Sequence, residues 1–298
     1  MSDGGASRAR IGTVSISVVA AYAGMCLIWG TTWLGIKISL HYVPPIAGAG
    51  LRFILAGVLM YAVAAAMKKL VPPSRLPWNV VLVFACFLFG ANYVLTYTAE
   101  TRLDSGLVSV LFGTLPFFVF AMGALVGERT TPIVWIGAAI ALAGVAAISL
   151  GGQARGSPLY ALAVIGASAS SAFANVYAKR HAHHHAMVTL PPAMLIAGAT
   201  MTFIGVASES VKWPLAFSAP SVAAILYLAL LGSGIAFFLN IWVIQRIPVW
   251  IVGLSSLIIP VIALFVGAIA GGEHLGAREL LGSALVIVGI AVALVPRQ

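Results

Sequence analysis

The chain has 298 residues, of which 61% are hydrophobic and only 8% are charged. A water-soluble domain of this length could not keep so little charge on its surface without aggregating, so the composition excludes an ordinary soluble protein. Lys and Arg exceed Asp and Glu by 16 to 7, a net charge of +9. Because these basic residues lie mostly in loops, membrane topology explains the excess more simply than nucleic-acid binding.

Apolar stretches of roughly 18–24 residues recur from end to end, and each can cross the ~30 Å hydrocarbon core of a bilayer as a helix. Because lipid offers the backbone no hydrogen-bond partner, such segments are expected to be helical. The alternating apolar and polar pattern of a membrane β-barrel is absent. The predicted fold class is an all-α integral membrane protein. Ten transmembrane helices are predicted at roughly 16–38, 46–67, 78–99, 106–126, 132–150, 158–179, 188–208, 221–244, 249–270 and 276–295.

Basic residues predict the orientation of these spans. With the N-terminus inside, ten of the sixteen Lys and Arg residues fall in cytoplasmic segments and five in outer segments, and Arg52 lies within a span. The positive-inside rule therefore places both termini in the cytoplasm of a bacterial inner membrane. Residues 1–15 are interpreted as a cytoplasmic tail before an uncleaved first span. Cys26 and Cys86 lie in apolar segments and are expected to be reduced.

The strongest signal is an internal repeat. Matching markers occur in the same order and, apart from a slip of one residue, at the same spacing in the two halves: Arg102, Pro116, Glu128, Gly137 and Gly144, against Arg246, Pro260, Glu273, Gly282 and Gly289. The sequence therefore predicts two five-helix repeats, residues 16–150 and 151–298. Five is odd, so the second copy starts on the opposite side of the membrane. Inverted repeats are typical of secondary transporters, with a duplicated channel or scaffold as the alternative.

Short motifs carry a family resemblance. The run WGTTWLGIKISL at 29–40, LRF at 51–53 and the two P…GE…G…G blocks resemble the EamA family of the drug/metabolite transporter (DMT) superfamily over nearly the whole chain. The resemblance implies ten helices, export of small metabolites, and a cavity lined by the first, third, fourth, sixth, eighth and ninth helices. Within the family, the chain looks most like the YddG-type exporters of aromatic and other amino acids.

Polar and aromatic residues inside spans are costly against lipid and should face the interior of the bundle. Their helical spacing places them on single faces of the first, third, sixth and eighth helices. The alternatives are an interfacial role for the tryptophans, helix packing for the serines and interhelical hydrogen bonds for the asparagines. The candidate cavity residues are Trp29, Thr32, Trp33, Asn92, Tyr93, Thr96, Tyr97, Ser168, Ser171, Asn175, Ser233, Phe237 and Asn240.

Charged residues near these faces are further candidates. Arg52 could bind a substrate carboxylate, or it could have a structural role or snorkel toward the interface. Lys37 and Glu100 are possible charge contacts at one end, where Glu100 and Tyr97 could instead form a gate. Lys37 and Lys179 lie at span ends, where snorkelling toward the interface is the expected alternative.

Proline and glutamate recur in the two halves. Pro116 and Pro260 fall in the middle of equivalent helices, where each removes a backbone donor, and they are predicted hinges. Glu128 and Glu273 lie at span ends. Either could contribute to gating, but the favourable electrostatics of a helix N-terminus favour capping of the following helix.

The remaining motifs limit the chemistry. The run His181, His183, His184 and His185 lacks the carboxylates or thiols of a metal site, so no metal or other cofactor is predicted. The sequence has no GxxxxGK[ST] motif, which would indicate ATP binding. It also has no HExxH or GxSxG motif, which would indicate an intramembrane enzyme. Every acidic residue lies at a span end or in a loop, whereas proton-coupled antiporters use a carboxylate or histidine at mid-membrane.

The predicted function is therefore export of small metabolites by alternating access, as uncoupled facilitated diffusion. Aromatic walls with amides and hydroxyls suit amino acids, including aromatic ones. The expected partners are a small-molecule substrate and the lipid bilayer, without nucleic acid or ATP. Export of another metabolite or drug (a nucleobase or a cationic drug) and proton-coupled antiport are the alternatives, and a channel or membrane scaffold is a more distant one.

Overall fold

The computed structural model describes residues 15–103, 105–149, 158–271 and 276–295, and within them the regular structure is helical throughout. Glu273 and several of the arginines that predict the topology lie outside the described residues. The main helices, in chain order, are α1 (Ile16–Leu40), α2 (Pro45–Ala66), α3 (Trp78–Glu100), α4 (Ser105–Phe112 and Leu115–Gly123), α5 (Pro132–Ser149), α6 (Pro158–Arg180), α7 (Ala186–Ser208), α8 (Ala219–Ile244), α9 (Val249–Gly253 and Ser255–Gly271) and α10 (Ala277–Ala293).

Eight of the described helices are long and apolar enough to cross a membrane. The exceptions, α5 and α10, have 18 and 17 residues. The all-helical membrane fold class is therefore confirmed, whereas ten spans remain a prediction. The sequence also predicted α4 and α9 as continuous helices, but α4 is interrupted at Gly113 and Thr114, and α9 is interrupted at Leu254.

Glycines bring α2 and α7 into close contact. A side chain at Gly50 would meet the backbone of Thr202, and one at Gly205 would meet the backbone of Ala47. Toward the other end of the pair, a side chain at Gly57 would meet the side chain of Leu195 first and then its backbone. As the residue number rises along α2 it falls along α7, so the two helices run antiparallel. Without Cβ atoms the backbones approach closely, which is how helices associate in lipid.

The helices α5 and α10 pair in the same manner. The backbone around Gly289 lies against Gly137, and the backbone around Gly282 lies against Gly144, again antiparallel. These four glycines are the markers of the sequence repeat. Their recurrence therefore has a physical reason, because a side chain at any of them would meet the backbone of the partner helix.

The two halves also exchange their first helices. In the first half, α1 packs against α8 and α9 of the second half: its Gly30 lies against Ile262, and its Gly35 lies against Leu228. In the second half, α6 packs against α3 and α4 of the first, and its Ser170 hydroxyl donates to the Phe87 carbonyl at 2.8 Å. The centre of the bundle is therefore built by both halves.

A π-helical segment of eight residues interrupts α3 at Phe84–Ala91, and another interrupts α8 at Leu228–Ile235. The second segment begins 144 positions after the first, which is also the separation of Arg102 and Arg246. The repeat thus extends to an irregularity of the backbone. Such segments often mark functional sites, and Leu88, in the first of them, borders the central cavity.

Candidate functional site

A cavity of about 110 Å³ lies where α1 meets α3, α4, α6, α8 and α9. Its walls combine indole and phenyl rings with amides and hydroxyls. Of the sequence-predicted residues, the cavity brings together Trp29, Thr32, Trp33, Arg52, Asn92, Tyr93, Thr96, Ser171, Asn175, Phe237, Asn240 and Pro260. Neither α5 nor α10 contributes a residue to its lining.

On α1, Trp29 and Trp33 lie one helical turn apart and both face the cavity. The Trp29 indole donates to the Gly232 carbonyl at 3.2 Å and meets the Phe237 ring edge-on at 5.3 Å between centroids. The acceptor belongs to the π-helical segment of α8, where irregular hydrogen bonding leaves carbonyls open to side-chain donors. This bond across the two halves fixes one aromatic wall.

The buried asparagines form hydrogen bonds and also line the cavity. Asn240 on α8 donates from its side-chain amide to the side-chain oxygen of Asn175 on α6 at 2.9 Å. On α3, the Asn92 amide donates to the Leu88 carbonyl at 3.2 Å, and the Thr96 hydroxyl lies 3.5 Å from the Asn92 oxygen. Asn175 and Asn240 therefore form the interhelical bond that was one of the alternatives, and they also border the cavity. The bond of Asn92 stays within α3, and contact of any of the three with a ligand remains a prediction.

Arg52 does not snorkel. Its side chain is 1% exposed, and it borders the central cavity from α2, a helix that the family resemblance does not assign to the lining. Tyr97 and Ser233 do not border the cavity; they hold Arg52. The guanidinium donates from Nε to the Ser233 hydroxyl at 2.7 Å and from Nη1 to the Tyr97 hydroxyl at 3.1 Å.

Ser168 contacts a neighbouring helix instead of the cavity. Its hydroxyl lies 3.2 Å from the Thr114 hydroxyl and 3.4 Å from the Phe112 carbonyl, both at the interruption of α4. Pro116 has no N–H, so the Phe112 carbonyl lacks its helical donor, and Ser168 provides a replacement. Pro116 lies next to a real break in its helix. Its role as a hinge remains a prediction.

The second predicted hinge differs from the first. Pro260 lies inside the continuous part of α9 and borders the cavity, while the interruption of α9 is at Leu254. Three hydroxyls that sequence reasoning missed, those of Ser109, Ser255 and Ser256, also line the cavity. Their signal in the sequence was weak, because small hydroxyl residues serve equally well for packing between membrane helices.

A second cavity of about 330 Å³ adjoins the first at Trp33, toward the C-terminal end of α1. Lys37 and Glu100 both border it, without an ion pair to each other. The predicted charge contacts Lys37 and Glu100 therefore border this second cavity and not the central one.

An ion pair lies at the opposite end of the bundle. The Glu128 carboxylate lies 3.7 Å from the Lys179 ammonium and also accepts from the Val249 N–H at 2.8 Å. Glu128 thus caps α9 of the other half, whereas the sequence had predicted a cap on α5. Lys179 was expected to snorkel but is also bound to the Ile244 and Ile247 carbonyls at 2.9 and 2.8 Å. Burial raises the pKa of the Glu128 carboxyl, a shift that Lys179 and the backbone of α9 oppose.

The histidine run begins two residues after Lys179. His181 stacks on Tyr177, and the His183 and His184 rings lie 4.0 Å apart between centroids. The His185 Nδ1 accepts from the Met187 N–H at 3.1 Å and caps α7. In the part of the chain that the structure covers, no cluster of three His, Cys, Asp or Glu side chains is arranged to hold a metal ion.

Comparisons with known proteins agree on one family. A model described as "EamA-like transporter family" matches twice, over residues 16–150 and 158–295. The chain is 31% identical to the uncharacterized inner membrane transporter YedA of Escherichia coli K12, an alignment that covers 94% of this chain and 90% of YedA. It is 28% identical to the uncharacterized transporter YoaV of Bacillus subtilis, covering 92% and 96% of the two chains.

Another relative has a more specific name. The probable amino-acid metabolite efflux pump of Salmonella typhimurium is 27% identical, and the alignment covers 89% of this chain and 91% of the relative. A solved crystal structure matches with a TM-score of 0.81 over 93% of this chain and 96% of its own. At 24% identity, that match supports the fold alone.

Proposed function

Because the chain belongs to the EamA-like transporter family, we propose that its central cavity carries amino acids, including aromatic ones, out of the cell. The family and the named relatives establish the coarser statement: the chain is a multi-pass transporter of the inner membrane. The substrate class and the mechanism are our proposals.

The proposed architecture has ten membrane helices in two inverted repeats, with both termini in the cytoplasm. The antiparallel pairing of α2 with α7 and of α5 with α10 supports it. These pairs join helices at equivalent positions of the two repeats. Equivalent helices of two repeats inserted in the same orientation would be parallel, so antiparallel pairs favour opposite insertion.

The observation that carries the substrate proposal is the chemistry of the cavity wall. Trp29, Trp33 and Phe237 supply aromatic surface, while Asn175 and Asn240 supply amides. No acidic residue borders the central cavity among the residues that the structure describes. A carrier of cations would need a negative group there, whereas rings and amides suit an amphipathic solute such as an aromatic amino acid. The name of the Salmonella relative favours the same class.

For the mechanism we propose alternating access without coupling to protons. The second cavity leads from Trp33 toward the end of the bundle that we assign to the outside. At the other end, the ion pair between Glu128 and Lys179 joins the two halves. This arrangement supports a state closed toward the cytoplasm, in which two similar halves exchange conformations around one site.

Counterflow in proteoliposomes tests the proposed function. Liposomes preloaded with unlabelled phenylalanine should take up labelled phenylalanine transiently, and the uptake should saturate. Imposing a pH gradient should leave the initial rate unchanged. Strong acceleration by a proton gradient would contradict the uncoupled mechanism, and uptake that never saturates would indicate a channel.

Accessibility labelling tests the architecture. Single cysteines at positions 129 and 273, introduced in a variant without Cys26 and Cys86, should react with a membrane-impermeant reagent from opposite sides of the membrane. Reaction of both from the same side would contradict the inverted repeat, and with it the proposed carrier mechanism.

A further inference from the structure

Arg52 carries a positive charge into the middle of the bundle. It lies near the start of α2, its side chain is 1% exposed, and it borders the central cavity. Hydrogen bonds to Ser233 and Tyr97 fix the guanidinium, one from each half of the protein. The guanidinium carbon also lies 5.1 Å from the centre of the Tyr93 ring, within the range of a cation–π contact. The group is therefore held rigidly.

None of these partners carries a negative charge. No described carboxylate lies within 4 Å of the guanidinium. Among the described acidic residues, Glu100 interacts electrostatically with Arg52, but it lies beyond that distance and borders the other cavity. A buried charge without a close counter-ion is costly, because it has lost its hydration without a full replacement. A fold that holds such a charge beside a cavity is suited to a ligand that supplies the missing charge.

The geometry of the guanidinium specifies that ligand. A guanidinium has five N–H groups, while the described hydroxyl groups that accept from it are those of Ser233 and Tyr97. Nη2 packs closely against Gly232, where a Cβ would be only 3.0 Å away, and the two hydroxyl bonds use Nε and Nη1 instead. Planar carboxylates bind guanidinium groups through two parallel hydrogen bonds.

We propose that Arg52 is the carboxylate-binding residue of the central cavity and restricts its substrates to carboxylate-bearing solutes. The inference rests on the proposed function and narrows it. The substrate carboxylate pairs with Arg52, and its apolar part lies against Trp29 and Phe237, which border the same cavity. Cationic amines without a carboxylate are repelled by the same guanidinium.

The experiment uses the full-length protein and four solutes that share a phenyl ring. Phenylalanine and 3-phenylpropionate have a carboxylate, whereas phenylalaninamide and phenethylamine do not. Binding is measured by thermal stabilisation in detergent, and transport by counterflow. Both carboxylates should stabilise the wild type and compete with labelled phenylalanine, with affinities at least about tenfold above those of the two amines.

Variants separate binding from a structural role. Arg52→Gln should lose the preference for carboxylates while it still binds phenylalaninamide through the aromatic rings. Arg52→Lys keeps the charge but lacks the planar guanidinium, so it should retain part of the preference for carboxylates. Arg75→Gln removes an exposed positive charge that does not border the cavity, and it should keep the wild-type ratio. A structural role would change stability or expression but not the ratio between carboxylates and amines.

Three outcomes would overturn the inference. They are equal or tighter binding of the two amines by the wild type, an unchanged ratio in a folded Arg52→Gln variant, and stabilisation by none of the four solutes. If Arg52→Gln does not fold, the wild-type ratio decides alone. If the amines show saturable counterflow as strong as that of the carboxylates, the protein is still a transporter and only the role of Arg52 is contradicted. If no solute shows saturable counterflow, the proposed function itself is contradicted.

Discussion

The carboxylate of Glu128, in the segment that follows α4, lies 3.7 Å from the ammonium of Lys179, at the end of α6. The two residues belong to different halves, so their ion pair fastens the halves together at one end of the bundle. Both side chains are largely shielded, with exposed fractions of 16% and 23%. The pair is therefore screened less by solvent than a pair on an open surface.

Breaking this pair should open that end of the protein. We expect Glu128→Gln to lower the free energy of unfolding by about 1 kcal/mol and to increase the reactivity of a cysteine at position 175 toward a reagent added from the cytoplasmic side. The glutamine can still accept from the Val249 N–H, so the variant removes the charge and keeps the cap. Glu279→Gln, in the first turn of α10, is the control. Unchanged labelling in Glu128→Gln would show that the pair does not limit access.

Acid should weaken the cap on α7. Burial first, then the charges of Lys69 and Arg246, lower the pKa of His185 in the folded protein. Its Nδ1 accepts from Met187 only while unprotonated. The pKa of His185 is therefore lower in the folded protein than in the unfolded chain. The cap stabilises the protein fully at any pH above the pKa of the unfolded chain, and this stabilisation is lost as the pH falls through the pKa of the folded protein.

The corresponding variants are His185→Asn, a capping residue that does not titrate, and His185→Ala. We expect His185→Ala to cost about 1 kcal/mol at pH 8 and His185→Asn to flatten the dependence of melting temperature on pH between about 7 and 5. An identical acid dependence in the wild type and His185→Asn would contradict the prediction.

Close helix pairing should depend on single glycines. Gly198→Ala would press a methyl group against the backbone of α2, and Gly289→Ala would do the same against α5. We expect each to cost about 1–3 kcal/mol, measured by thermal unfolding in detergent. The control is Gly24→Ala, whose new methyl group meets only the Leu239 side chain, at 3.8 Å. It should be neutral or slightly stabilising, because alanine favours helix. Equal losses at all three positions would mean that close packing is not the cause.

The aromatic wall should determine affinity for aromatic solutes. We expect Trp33→Ala to weaken phenylalanine binding by about threefold to tenfold, the range of one aromatic contact, with normal expression. Asn240→Ala should also impair counterflow, because it removes the hydrogen bond that positions Asn175. Trp213→Ala, a half-exposed tryptophan outside both cavities, serves as the control. Unchanged uptake in both cavity variants would remove Trp33 and Asn240 from the site.

Helical periodicity was enough to find the cavity-facing side of α1, because Trp29, Thr32 and Trp33 differ sharply from an apolar background. It could not separate a residue that faces a cavity from one that faces a neighbouring helix. Ser168 and Ser171 lie on the same face of α6, yet only Ser171 borders the cavity. That distinction depends on which helix packs opposite, and the exchange of α1 and α6 between the halves is not visible in local sequence.

The irregular backbone was also hidden from sequence. The π-helical segments at Phe84–Ala91 and Leu228–Ile235 leave no compositional mark, because each reads as a normal apolar stretch. The role of Ser233 depends on that geometry, which brings its hydroxyl to Arg52. By contrast, apolar length alone located the main helices, because the thickness of the bilayer sets a strict minimum.

The glycine contacts have a consequence for biogenesis. The partner of α2 is α7, and the partner of α5 is α10, so neither half contains a closed set of neighbours. During synthesis, α2 therefore lacks its partner until α7 has been made, and α5 lacks its partner until α10 has been made. Two separately expressed fragments, divided after α5, would each be incomplete for the same reason and would need co-insertion to assemble.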